Sequence, residues 1–145
     1  MIIGGSASQD LAAHVAEELN DDLCYVETKK FPDGERYLRV DGNIDEEVTV
    51  IQSTGYPQDE NLMELLFLIA NLKDLGAKKV RVVVPYMGYA RQEKRFHDGE
   101  AVSAKIVANL IQAAGADEFI TFNIHEKCVL DFFDIPTTNI SAMGA

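Results

Sequence analysis

The chain has 145 residues, 47% of them hydrophobic, which is enough for one domain with its own core. Its 24 acidic and 13 basic residues leave a net charge of −11, which argues against broad nucleic-acid binding because phosphate backbones favour basic surfaces. No apolar run approaches the roughly 18 residues of a membrane span, so no membrane role is expected.

Residues 1–3 are apolar and read as a short buried strand closed by Gly4 and Gly5, with nothing resembling a signal peptide. Gly4, Gly5 and Ser6 expose backbone N–H groups to an anion, but the spacing is neither a dinucleotide fingerprint nor a P-loop, so a tight turn is the preferred reading. Ser8 then precedes a helix with Leu11, Ala12, Val15, Ala16 and Leu19 on one face and His14 at its surface. Residues 23–30 and 35–40 read as strands joined by Pro32, Asp33 and Gly34. An ordinary hairpin accounts for that turn. Phe31 and Glu35 flank it, however, so an aromatic face and two carboxylates meet at one tip, where a purine could stack and donate its amino group.

Residues 47–53 are another strand, and Pro57 suits the first turn of a helix running to Leu75 with Gly76 as its stop. Residues 78–86 are β-branched and nearly all apolar, as a central parallel strand should be. Residues 101–114 form a helix with Val102, Ile106, Val107, Leu110 and Ile111 inward and Gly115 at its end. Residues 118–123 are a further strand, and the last seven residues begin a new element. Alternating strands and helices mean βαβ units, a parallel sheet and an α/β fold. Ligands in such sheets lie beyond the carboxyl ends of the strands, so the loops after Ile3, Ser53, Pro85 and Asn123 are the ones to watch. Cys24 and Cys128 fit reduced, semi-buried thiols of a cytoplasmic protein.

The loop "PYMGYARQEKRFHDGE" crowds Arg91, Lys94, Arg95 and His97 together at the end of the best strand. Arg91 offers a planar fork for phosphate, and Gln92 offers both donor and acceptor. Glu93, Asp98 and Glu100 sit among the bases, so the residues alone leave a phosphate site and a solvated loop equally open. His125 follows another strand. A lone histidine is more often a capping or packing residue, and Asp131 and Asp134 stand close enough to join it around a divalent ion without a diagnostic spacing.

Together, "KKFPDGE", "NLMELL", "PYMGYARQEKRF", "VSAKIVANLI", "AGAD" and "NIHEKCVLDFFDIP" resemble, in order and spacing, the ribose-phosphate pyrophosphokinases (phosphoribosyl pyrophosphate synthetases). The resemblance reaches from the first strand to about Ile140, and the PDGE turn and the short GE after the basic loop are most similar to archaeal members.

The resemblance implies a parallel-sheet, three-layer phosphoribosyltransferase-like (Rossmann-like) domain at 1–140, with a β-hairpin extension at about 23–40. Residues 141–145 would begin the crossover to a second domain. The implied reaction moves pyrophosphate from ATP, with magnesium (Mg2+), to ribose 5-phosphate. Phe31, Asp33, Gly34 and Glu35 match the family's adenine-holding turn, which reaches into a neighbouring subunit's site and so implies a homo-oligomer, at least a dimer. Arg91 and Gln92 match its ATP contacts, Lys94 and Arg95 would support them, and His125 matches its magnesium-linked histidine. Catalytic residues are expected only in the second half, which carries the ribose-phosphate loop. The 145 residues alone should therefore show little or no synthetase activity. Two departures stand out: Asn123 replaces an aspartate found in many members, and members are about twice as long. The other reading is a non-catalytic, synthetase-like regulatory or assembly module.

Overall fold

The computed structural model describes residues 1–142, so residues 143–145 of the expected crossover lie outside the described residues. The strands are β1 (Ile2–Gly4), β2 (Leu23–Cys24), β3 (Val26–Lys30), β4 (Arg36–Val40), β5 (Glu47–Ile51), β6 (Lys79–Val84), β7 (Glu118–Phe122) and β8 (Thr137–Ile140). The helices are α1 (Gln9–Leu19), α2 (Gln58–Asp74) and α3 (Ser103–Ala114), with a 3₁₀ turn at Lys127–Phe132. Six strands form one sheet in the order β2-β1-β5-β6-β7-β8, and every pairing in it is parallel. β3 and β4 pair antiparallel as a separate ribbon.

Strand alternation sends side chains to two faces, and the core divides accordingly. Ile3, Val50, Val80, Val82, Val84 and Phe119 join the α2 and α3 side chains in one cluster. Ile2 and Ile51, from the opposite face, join Ala12 and Ala16 of α1 in a second. Three layers result. Leu65, Leu68, Ile69 and Leu72 of α2 are fully buried, each contributing about 1.5–3 kcal/mol of apolar transfer.

Four expectations need correction. The segment 23–30 breaks into two strands, because Leu23 and Cys24 pair with β1 whereas Val26 onward pairs with β4. Leu11 and Leu19 are 42% and 65% exposed rather than inward. α1 instead lies so close to β1 that a β-carbon on Gly4 would come within 2.7 Å of the Ala12 methyl, and only the narrow Ala12–Ala16 stripe fits. Ile106 and Leu110 likewise face outward, while Ala104, Val107, Ala108 and Ile111 are buried. Cys128 is exposed, whereas Cys24 is buried, and burial pushes its thiol pKa up. β8 was legible only as the start of a new element at residue 139, because its four residues directly follow Pro136 and include Asn139, too short a run to stand out. Gly76 and Gly115 do stop α2 and α3, both at positive φ. Among the described residues no helix is long and apolar enough to cross a membrane.

Candidate functional site

The carboxyl ends of β6 and β7 open into a cleft of about 570 Å³ lined by Tyr86, Tyr89, Arg91, Gln92, Asn123 and His125, among others. Its floor is tied to the loop after β5. The Thr54 N–H and hydroxyl both donate to the Tyr86 carbonyl, at 2.9 and 3.1 Å, and the Gly88 N–H donates to the Thr54 hydroxyl at 2.8 Å. Tyr89 is held in the left-handed region, at φ 66°, an uncommon conformation for a bulky residue. Its hydroxyl donates to the Asp59 carboxylate on α2, and that bond holds the phenol above its ordinary pKa.

Past Tyr89 the chain makes the basic loop, and Glu100 organises it. Its Oε2 accepts the N–H groups of Phe96 and His97, at 2.9 and 3.2 Å, and the Gln92 side-chain amide at 3.1 Å. One carboxylate thus closes the loop on itself. The same amide also donates to the Lys94 carbonyl, and the Ala104 N–H donates to the Gln92 carbonyl, anchoring the loop to α3. Sequence reading counted Glu100 as an offsetting charge. Its role was missed because the bonds run to backbone amides, which no motif displays. Arg91 is exposed, and among the described residues no carboxylate lies within ion-pair distance of Arg91, Lys94 or Arg95. Seven of the remaining basic side chains are paired, from Lys30 to Arg81.

The hairpin tip does not line this cleft. Gly34 N–H donates to the Phe31 carbonyl and Phe31 N–H to the Glu35 carbonyl, both at 2.8 Å. Asp33 accepts from the Glu35 N–H at 3.1 Å, and Gly34 takes φ +93° in open space. The tight turn therefore forms as its residues suggested. Phe31 is 44% exposed, with Tyr37 edge-on to its ring at 5.9 Å. Phe31, Asp33, Gly34 and Glu35 thus share one tip, and Arg91, Gln92 and His125 share another place.

The turn after β1 is also closed from within. Ser6 donates its N–H and hydroxyl to the two oxygens of Glu64, each at 2.6 Å, and Ala7 N–H donates to Gln52 Oε1 at 3.0 Å. A carboxylate of the chain itself occupies the place an anion would take. Ser8, at the start of α1, makes no side-chain cap and instead accepts the Ser53 N–H at 2.9 Å.

His125 is 64% exposed, and its nearest carboxylate, Glu126, is 3.9 Å away. Asn123 sits at φ 44° and its side-chain oxygen accepts the Ala142 N–H at 3.0 Å. Among the described residues no three histidine, cysteine or acidic side chains converge as a metal site, so Asp131 and Asp134 do not gather around His125. One imidazole and one engaged amide oxygen are a poor set for magnesium, which prefers oxygen ligands and often binds through substrate phosphates. The residues of this half do not by themselves make a resident magnesium site.

Residues 1–115 match the family model described as the N-terminal domain of ribose phosphate pyrophosphokinase. The chain belongs to that family. It is 97% identical over all 145 residues to a ribose-phosphate pyrophosphokinase of Methanobrevibacter smithii, covering 49% of that protein. It is 67% identical over 143 residues to the one from Methanothermobacter thermautotrophicus, covering 99% of this chain and 50% of the relative. Both are archaeal, as the turn and the basic loop suggested. The crystal structure of the phosphoribosylpyrophosphate synthetase from Mycobacterium smegmatis superposes with a TM-score of 0.93 at 34% identity, over 98% of this chain and 48% of that one. The α/β fold with its hairpin is therefore the pyrophosphokinase N-terminal fold. The chain spans about half the length of the relatives it matches, and corresponds to their N-terminal half.

Proposed function

We propose that this chain is the nucleotide-binding half of a ribose-phosphate pyrophosphokinase. The reaction joins the 1-hydroxyl oxygen of ribose 5-phosphate to the β-phosphorus of ATP. The bond from that phosphorus to the bridging oxygen of AMP breaks, so phosphoribosyl pyrophosphate and AMP leave. The observation that carries this reading is Arg91, an exposed guanidinium with no carboxylate partner among the described residues, on the wall of a cleft at the strand carboxyl ends. In a protein of net charge −11, a free planar fork there suits the oxygens of a polyphosphate. Gln92 orients beside it, and Lys94 and Arg95 add positive charge from the same loop. Phosphoryl transfer depends mainly on positioning and charge neutralisation, which is the kind of help these residues can give.

Magnesium enters as part of the MgATP substrate, with His125 beside it. The adenine is held by Phe31, Asp33, Gly34 and Glu35. The resemblance implies that this tip serves a neighbouring copy's site, a reading supported by its place outside the chain's own cleft, so the working protein would be a homo-oligomer, at least a dimer. The free thiols suit a reducing cytoplasm. The Methanobrevibacter and Methanothermobacter relatives both carry the enzyme's name, which favours this reading over a non-catalytic assembly module.

The test is Arg91→Ala in the full-length protein, followed by steady-state kinetics and circular dichroism. The expected fall in kcat/KM for ATP is about 10- to 100-fold, as for a lost charge-assisted hydrogen bond, with the fold intact. Unchanged kinetics would remove Arg91 from the site.

A further inference from the structure

The β3–β4 ribbon shares no strand pairing with the six-stranded sheet, and a lone two-stranded hairpin is marginal in water. Something else must set its direction. Its base is apolar: Val40 is buried, and Val26 and Leu38 pack against the main core. Near the tip the anchors are polar. Lys30 meets Glu60 at 2.6 Å, but both side chains are about half exposed, and such pairs add little. Arg36, next after the turn residue Glu35, reaches inward to Glu64 at 2.8 Å.

Glu64 is 0% exposed. Its Oε1 accepts the Ser6 N–H, and its Oε2 accepts the Ser6 hydroxyl and the Arg36 guanidinium. One buried carboxylate on α2 therefore joins the turn after β1 to the first residue of β4. We infer that Glu64, acting through Arg36, is a positioning residue that fixes the hairpin tip for its ligand. The inference rests on the reading of that tip as the adenine holder. Stability alone does not account for the arrangement, because well-packed apolar residues often replace a buried ion pair without loss. An apolar contact would slide, whereas three directed hydrogen bonds admit one geometry.

Removing one partner alone would strand a buried charge and endanger the fold, so the test uses Arg36→Met with Glu64→Leu together in the full-length protein. Circular dichroism and the thermal midpoint establish that the double variant is folded. Two further quantities are then read: amide hydrogen exchange over 26–40, and the KM values for both substrates. Exchange across the hairpin should rise about tenfold while α2 and α3 keep their protection. KM for ATP should rise about tenfold, with kcat within about twofold and KM for ribose 5-phosphate unchanged. Hairpin exchange at the wild-type rate overturns the inference. Faster exchange with an unchanged KM for ATP supports the positioning role of Glu64 but sinks the adenine reading of the tip. Phe31→Ala checks that reading separately, since it removes the stacking ring and leaves the Arg36–Glu64 pair in place.

Discussion

At Gly88 a β-carbon would sit 2.4 Å from the Thr54 carbonyl oxygen, inside any contact real atoms tolerate. Neither backbone can retreat, because the Gly88 N–H is bonded to the Thr54 hydroxyl and Thr54 to Tyr86. Gly88→Ala should therefore cost about 2 kcal/mol by overpacking and also shift the loop that bears Arg91. A lower urea midpoint together with a raised KM for ATP is the expected pair of readings. A midpoint at the wild-type value would show that the loop has slack. Asp117 offers a pH reading at the same scale. Partial burial pushes its carboxyl up, but hydrogen bonds from Lys73, at 2.5 Å, and from the Val80 N–H, at 2.8 Å, outweigh that and hold it below its ordinary range. A depressed folded pKa means stability that is fully present above the unfolded value of about 3.9 and lost as pH falls through the lower folded one. Urea midpoints should thus separate wild type from Asp117→Asn at pH 6 and converge toward pH 2. A gap that stays constant with pH would show that ionised Asp117 stabilises nothing.

Helix faces show where periodicity is a sufficient guide. α2 buries Leu65, Leu68, Ile69 and Leu72 at helical spacing, as a helix packed broadly against the sheet should. α1 lies toward one edge, against β1, and needs only Ala12 and Ala16 inward. Leu68→Ala should cost about 2–5 kcal/mol, whereas Leu19→Ala should change stability by no more than about 0.5 kcal/mol. Chemical denaturation of the two variants checks the contrast, and equal losses would mean that α1 packs in some other way. α3 is intermediate. Its Ile106 and Leu110 fit the helical period but line an outer groove against Met63 of α2 instead of the core. Period alone identifies an apolar stripe, and the neighbouring helix decides how much of that stripe is covered.

Across the whole molecule, charge is sorted by place. The acidic surplus is spread widely, and the paired cations lie away from the cleft, whereas Arg91, Lys94 and Arg95 share one loop without an ion-pair partner among the described residues. Local pairing thus sets a positive site that the net charge of −11 conceals. Arg91 lines the cleft, but the tip proposed to hold adenine lies elsewhere, and the resemblance assigns the ribose-phosphate loop to the second half. The 145 residues assayed alone should therefore show little or no turnover, whereas the full-length protein should be active. Normal turnover from these residues by themselves would refute the division of labour between halves.

Apart from the break between β2 and β3 and the strand β8, the order of strands and helices, the βαβ logic and the loops at the carboxyl ends were legible in the sequence, because they depend on local period and on turn residues such as Gly34, Gly76 and Gly115. That Arg91, Gln92 and His125 lie beyond strand carboxyl ends was legible too, whereas only the family resemblance joined them as one candidate site. What only the tertiary structure decided is which groups were already spent. Ser6 was taken by Glu64, the Gln92 amide by Glu100 and the Asn123 oxygen by Ala142, while Arg91 stayed free. A sequence shows which residues can donate or accept. Whether a partner from 58 positions away has already met that demand depends on chain crossings that no local pattern records.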